Sequence, residues 1–228
     1  MATAAVFGST GAVGSEILAA LLASDTFSSV KTISRRLPQP QSAKLEAIQE
    51  ADTSKWGGMI SSLAPKPAVI FNGVGTTRNA PGGLAQQWKI DHDLCIENAR
   101  AAKDAGVKTY VYISSAGTRS FLYGWVPYSK MKVGVEEAIK KMGFEHAIIL
   151  RPGMIIGRDT AKVEFLEKLV ESLRRFGQGV QDKIGAHQRT IGRAAVAAVK
   201  TAGEGQAPTV WVVEHPEIIR LGRTEWTE

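Results

Sequence analysis

Val6-Phe7-Gly8-Ser9-Thr10-Gly11-Ala12-Val13-Gly14 joins a short apolar run to an amphipathic segment through three glycines spaced three apart. Residues 4–7 are strand-like, and from Ala12 the apolar residues Val13, Ile17, Leu18, Leu21 and Leu22 recur at helical spacing. The order is strand, glycine-rich turn, helix. Such a turn suits a dinucleotide. Gly8 admits the positive φ of a tight turn, Gly11 lets backbone approach a pyrophosphate, and Gly14 lets helix and strand pack closely. Ser9 and Thr10 complete the cradle, and the unpaired N–H groups of the helix's first turn, from Ala12 on, face the phosphates. A glycine-rich turn that merely joins two elements is the weaker alternative in this setting.

Downstream, residues 30–34 read as a second strand ending in Ser34-Arg35-Arg36. An NAD-preferring fold places an acidic residue about 20 positions beyond the glycines to hold the ribose. Here that position is Ser34, followed by a guanidinium pair suited to the 2′-phosphate of NADP. Residues 45–48 suggest a third strand, and Asp52 in the loop after it either bonds an adenine amino group or caps a helix beginning near Thr53. Residues 67–73 form a fourth strand that runs into a second glycine-rich loop, Gly73-Val74-Gly75-Thr76-Thr77-Arg78. Loops at carboxyl strand ends face the ligand crevice.

A long helix over residues 84–105 follows, with Trp88, Ile90, Leu94, Ile96 and Ala99 as much of its apolar stripe. Residues 107–113 make a fifth strand that delivers Ser114-Ser115-Ala116-Gly117 to the same edge of the sheet. Phe121, Tyr123 and Trp125 then either line a pocket or cover the core. Pro127 opens the next helix, which carries Tyr128 and Lys132 four residues apart on one face. Residues 147–150 are a sixth strand, stopped by Arg151-Pro152-Gly153.

Repeated strand-helix units predict an α/β protein with a Rossmann-type, doubly wound parallel sheet. The whole chain, 1–228, is expected to form one domain, with about 1–155 as cofactor core. Residues from about 156 to 228 are expected to pack on it as a small C-terminal, substrate-side lobe with helices over 162–176 and 192–202 and a strand over 209–213.

A length of 228 residues and 44% hydrophobic content fit that single core. No apolar run is long enough for a transmembrane helix, and the early first strand leaves no room for a cleaved leader. Cys95 is the only cysteine, which excludes an intrachain disulfide and fits a reducing compartment. The four histidines lack metal-ligand spacing, so no metal site is expected; His92 alone lies close to the presumed crevice. A net charge of +6 suits an anionic cofactor or membrane surface. The basic residues are scattered in pairs without a DNA-binding signature, which ranks nucleic acid last as a partner.

Reduction of a carbonyl needs hydride on carbon and a proton on oxygen. Tyrosine, with an ordinary pKa of about 10, exchanges protons poorly at neutral pH unless a cation such as Lys132 favours its phenolate. Lys132 can also hold nicotinamide ribose hydroxyls, while Ser115 polarises the substrate oxygen. A catalytic set of Ser115, Tyr128 and Lys132 therefore accompanies the cradle.

Gly8-x-x-Gly11-x-x-Gly14, Ser114-Ser115, Tyr128-x-x-x-Lys132 and Arg151-Pro152-Gly153 together resemble the short-chain dehydrogenase/reductases in their extended or atypical form. Gly75-Thr76-Thr77-Arg78 and Ser34-Arg35-Arg36 resemble the branch that includes a human Tat-interacting oxidoreductase and a fungal mitochondrial outer-membrane protein. The resemblance covers nearly the whole chain. It implies an NADP(H)-binding Rossmann fold, Ser115, Tyr128 and Lys132 at the catalytic positions, and Pro152 and Gly153 near the nicotinamide. Ser115 has the family's usual spacing to the tyrosine; Ser114 is the alternative serine. One departure is Asp91, where many extended members carry asparagine.

The expected activity is NADP(H)-dependent carbonyl reduction or alcohol oxidation on a small-molecule substrate. The alternative is an NADPH-binding regulatory or scaffold protein with little turnover. The resemblance implies a peripheral site on the cytosolic side of the mitochondrial outer membrane, the cytoplasm being the default without it, and homodimerisation is open.

Overall fold

Both faces of β1 (Ala2–Phe7) are covered, as its apolar composition requires. Ala4 and Val6 enter one core layer, and Ala5 and Phe7 the other, following the two-residue alternation of a strand. The computed structural model describes residues 2–76, 80–118, 126–157 and 185–226.

The first layer is built with α1 (Ala12–Ala23), whose Ile17, Leu18 and Leu21 are fully buried. Each such side chain contributes about 1.5–3 kcal/mol relative to exposure. β2 (Phe27–Ser34) starts earlier than expected, because Phe27 is buried and pairs with Ala2. β3 (Leu45–Gln49) is the outer neighbour of β2. Asp52 caps a single 3-10 turn, Thr53–Lys55, before α2 (Trp56–Ser62). β4 (Val69–Asn72) then returns to the other side of β1.

The long helix expected over 84–105 is divided. α3 (Gly83–Trp88) passes through a π-helical segment, Lys89–Asp93, into α4 (Leu94–Asp104). Its buried side differs from the expected apolar stripe and includes Gln87, Asp91 and Asn98, whereas Ile90 and Ile96 are only partly buried. β5 (Thr109–Ile113), α5 (Pro127–Lys141) and β6 (His146–Arg151) follow, and Pro127 occupies the first turn of α5 as expected. A small parallel ribbon pairs β7 (Met154–Ile156) with β8 (Gly185–His187).

Beyond that ribbon, residues 188–226 join the main sheet and its helical cover. α6 (Gln188–Gly203) packs its alanine-rich face on α1, and β9 (Val210–Glu214) pairs in parallel with β6. α7 (His215–Ile219) follows directly. The helix expected over 162–176 and the aromatic residues Phe121, Tyr123 and Trp125 lie outside the described residues.

The sheet order is β3-β2-β1-β4-β5-β6-β9, and every pairing is parallel. The direction of winding reverses between β1 and β4, the topological switch point at which such folds bind ligands. Register brings the strand ends together there: Phe7 is level with Ile33 and Asn72, and Asn72 with Tyr112. The loops beginning at Gly8, Arg35, Gly73 and Ser114 therefore emerge along one edge.

Candidate active site

The turn from Gly8 to Gly14 is too tight for side chains at its two ends. Gly8 has a φ of 76°, and a Cβ on Gly14 would lie 2.0 Å from the Gly8 carbonyl oxygen. Gly11 is the N-cap of α1 and supplies no side chain to its first amides, which are left available to an anion. Among the described residues the buried Ser9 hydroxyl has no hydrogen-bond partner, as fits a donor reserved for a ligand. The turn therefore fits a dinucleotide pyrophosphate.

Two cavities meet along this turn, sharing Gly11, Gly73, Val74 and Gly75. The smaller, about 190 Å³, is bordered by Gly8, Thr10, Ser34, Arg35 and Arg36, with Thr53 and Trp56 opposite. Both arginines are exposed, and the Ser34 hydroxyl donates to the Arg36 carbonyl oxygen at 2.6 Å, fixing the strand end that presents them. The larger cavity, about 530 Å³, runs from Ala12 and Val13 past Asp91 to Tyr128 and Lys132. Its remaining walls include Leu84, Ile113, Val126 and Ile155. Leu84, Val126 and Tyr128 are among the most exposed large apolar or aromatic side chains of the described residues, and all three border this cavity.

The shared floor is held by buried polar side chains. Asn72 donates to the Tyr110 hydroxyl at 2.9 Å and accepts from the Val74 N–H at 3.0 Å. Asp91 accepts from the Thr76 N–H at 2.8 Å. Only 1% exposed, Asp91 has its carboxyl pushed above the usual carboxylate range by burial, against the opposing pull of the Lys132 charge and that N–H.

Helix α5 places Tyr128, Lys132 and Glu136 on one face. Tyr128 is 36% exposed, whereas Lys132 is 4% exposed, its ammonium 5.9 Å from the Tyr128 ring centre and 4.9 Å from that of Tyr112. Lys132 donates to the Tyr112 hydroxyl and to the Ile113 carbonyl oxygen, each at 3.1 Å. Glu136, fully buried, accepts from the Ser114 hydroxyl at 2.5 Å and takes both prongs of Arg151, at 3.0 and 2.6 Å. A further Arg151 nitrogen donates to Glu214 at 2.7 Å, so one guanidinium links α5, β6 and β9.

Most of the expected site residues meet at this trough: Gly8, Thr10, Gly11, Ala12, Val13, Ser34, Arg35, Arg36, Gly73, Val74, Gly75, Thr76, Tyr128 and Lys132 border one cavity or the other. Others lie beside it. Ser114, not Ser115, borders the larger cavity; the Ser115 hydroxyl makes a single long bond, 3.4 Å, to the Ala116 carbonyl oxygen. Asp52 borders neither, and its carboxylate is occupied by the Ser54 N–H at 3.0 Å and hydroxyl at 2.6 Å, as a cap. The Pro152 carbonyl oxygen accepts from the Ala116 N–H at 2.7 Å, and the Gly153 N–H donates to His215 at 3.1 Å. Thr77 and Arg78 lie outside the described residues. The His92 ring lies tilted against that of Trp88 with centres 5.0 Å apart, and His92 bonds Asp93 at 2.7 Å. Among the described residues no His, Cys, Asp and Glu side chains gather as a metal site.

Sequence reasoning missed Gln87, Thr53, Trp56 and Glu136. Only Glu136 carried a signal, as the next member of the four-residue series that starts at Tyr128 and Lys132.

The chain belongs to the NAD(P)H-binding proteins with a Rossmann-type fold, the family whose model matches residues 8–203. Its relatives include fungal mitochondrial Fmp52 proteins. "Protein fmp52-2, mitochondrial" of Neosartorya fischeri is 69% identical across all of this chain and 99% of its own length. "Protein FMP52, mitochondrial" of Chaetomium globosum is 50% identical, with both chains wholly covered. Among solved structures, the UDP-Glc/GlcNAc 4-epimerase of Campylobacter jejuni superposes with a TM-score of 0.70 at 15% identity, covering 96% of this chain and 82% of that one. A short chain dehydrogenase family protein of Francisella tularensis gives 0.66 at 13%, covering 95% and 98%. At such identities the likeness is one of fold.

Proposed function

We propose that the protein is an NADP(H)-dependent oxidoreductase of the short-chain dehydrogenase/reductase type that reduces a carbonyl or oxidises an alcohol. The observation that carries this reading is that Tyr128 and Lys132 line the same cavity as Gly11, Ala12 and Val13 of the glycine-rich turn. Gly8–Gly14 and Gly73–Thr76 would hold the dinucleotide, Arg35 and Arg36 its 2′-phosphate, and Lys132 the ribose hydroxyls. When bound, the cofactor supplies or accepts hydride. Tyr128 gives a proton to the substrate oxygen in reduction and takes it back in oxidation. The Lys132 ammonium stabilises negative charge on the phenol oxygen during that transfer. Ser115 is given the role of polarising the substrate oxygen: Ser114 is the serine that borders the larger cavity, but its hydroxyl is fixed by Glu136, whereas that of Ser115 makes one long bond and can turn.

NADPH oxidation over a panel of aldehydes and ketones tests this reading. Tyr128→Phe should lower turnover by about 10²–10⁴-fold, and Ser115→Ala should cost more than Ser114→Ala in proteins of equal stability. Turnover that survives Tyr128→Phe would contradict the assigned role. A second reading, a cofactor-binding protein with little turnover, draws on Asp91 at a position where many extended members carry asparagine; tight NADPH binding without turnover on any substrate would favour it.

The names of the Fmp52 relatives support a mitochondrial site. We place the protein peripherally on the cytosolic side of the outer membrane; among the described residues no helix is long and apolar enough to cross a bilayer. Alkaline carbonate should release it from isolated mitochondria, and retention in the membrane pellet would contradict peripheral attachment.

A further inference from the structure

Among the described residues that border the larger cavity, Asp91 and Lys132 are the only charged ones. The other walls are apolar side chains, backbone and neutral polar groups, which screen a charge far less than water does. Neither charge can move out to solvent: Asp91 is pinned by the Thr76 N–H and Lys132 by two neutral acceptors, Tyr112 and Ile113. Whatever total charge the walls carry, they are one unit more positive without an ionised Asp91, and among the described wall residues Asp91 is what offsets Lys132. A nicotinamide ring is a cation when oxidised and neutral when reduced, so this difference bears on one redox form alone.

We infer that the Asp91 carboxylate sets the cofactor-form preference of the site, holding oxidised NADP⁺ that the Lys132 charge would otherwise repel. The inference rests on the proposed nicotinamide site and adds to it a residue that chooses between redox forms. The sign is independent of how far Lys132 and Asp91 cancel, since removing a negative charge makes the cavity more positive in either case. Asp91 is thus a specificity residue for the oxidised form, and the loop bond to Thr76 is what keeps its charge in place.

The test is the ratio of dissociation constants for NADP⁺ and NADPH, measured by titration of the full-length protein at pH 8. Asp91→Asn keeps an acceptor for the Thr76 N–H and removes the charge; it should weaken NADP⁺ relative to NADPH by about tenfold, the scale of one partly screened charge. Lys132→Met, whatever it costs both forms through the ribose, should move the ratio the opposite way, and it carries the test if Asp91→Asn does not fold. An Asp91→Asn protein whose ratio stays within about twofold of wild type, including one that binds both forms equally less well, overturns the inference while leaving the proposed function intact. A wild-type protein that binds neither form overturns both.

Discussion

At Gly14 the carbonyl oxygen of Gly8 occupies the place of a side chain, 2.0 Å from where a Cβ would be. Gly14→Ala must shift α1 against the turn, which should lower stability by about 1–3 kcal/mol in urea unfolding and weaken NADPH by a larger factor than it weakens the fold. Unchanged stability would mean that the turn relaxes freely. Cys95 is set by burial in the opposite sense: the core pushes its thiol from 9.0 up to about 12, chiefly by desolvation. A raised thiol pKa contributes stability below pH 9 that is lost as pH rises toward 12. The stability difference between wild type and Cys95→Ala should therefore shrink across that window. Native protein should resist thiol reagents at neutral pH and react only once unfolded; rapid labelling of the native state would contradict the burial. The glycines were legible in the sequence because their constraint is local spacing. The side of the strand end on which Ser114 or Ser115 meets the cavity was not, since it depends on how the chain leaves β5.

Among the elements, α5 does most to join fold and site. Its Tyr128 faces the cavity, Lys132 lies beneath, and Glu136 ties the helix through Arg151 to β6 and β9. Glu136→Ala would leave Arg151 partly uncompensated under the helix and should destabilise by about 3–5 kcal/mol in equilibrium unfolding, with Glu136→Gln costing less. A loss below about 1 kcal/mol would show the clamp to be dispensable. The four-residue spacing on α5 was readable, but a glutamate in a helix usually marks a solvated face, and only its distant partner Arg151 turns it inward. The helical segment 84–105 was likewise recognisable, while its π-helical interior was not: the local change of period at Lys89–Asp93 accompanies burial of Asp91 that an α-helical stripe through Trp88, Ile90 and Leu94 does not predict.

For the whole molecule, the parallel sheet follows from repeated strand-helix units, and its central strands were readable from their apolar runs. Pairing of β9 with β6 joins segments some 60 residues apart, Arg151 with Glu214, and no local pattern announces it. The same non-local register aligns Gly8, Ser34, Gly73 and Ser114, turning separate motifs into one trough. At one end of that trough stand Arg35 and Arg36, and at the other Tyr128 and Lys132. Titration of the full-length protein with NADPH and with NADH, repeated on the Arg35→Ala/Arg36→Ala double variant, tests this arrangement most directly. Wild type should bind one NADPH per chain more tightly than NADH, and the double variant should lose most of that preference while keeping its affinity for NADH. Equal affinity of wild type for the two cofactors, or binding of neither, would contradict it.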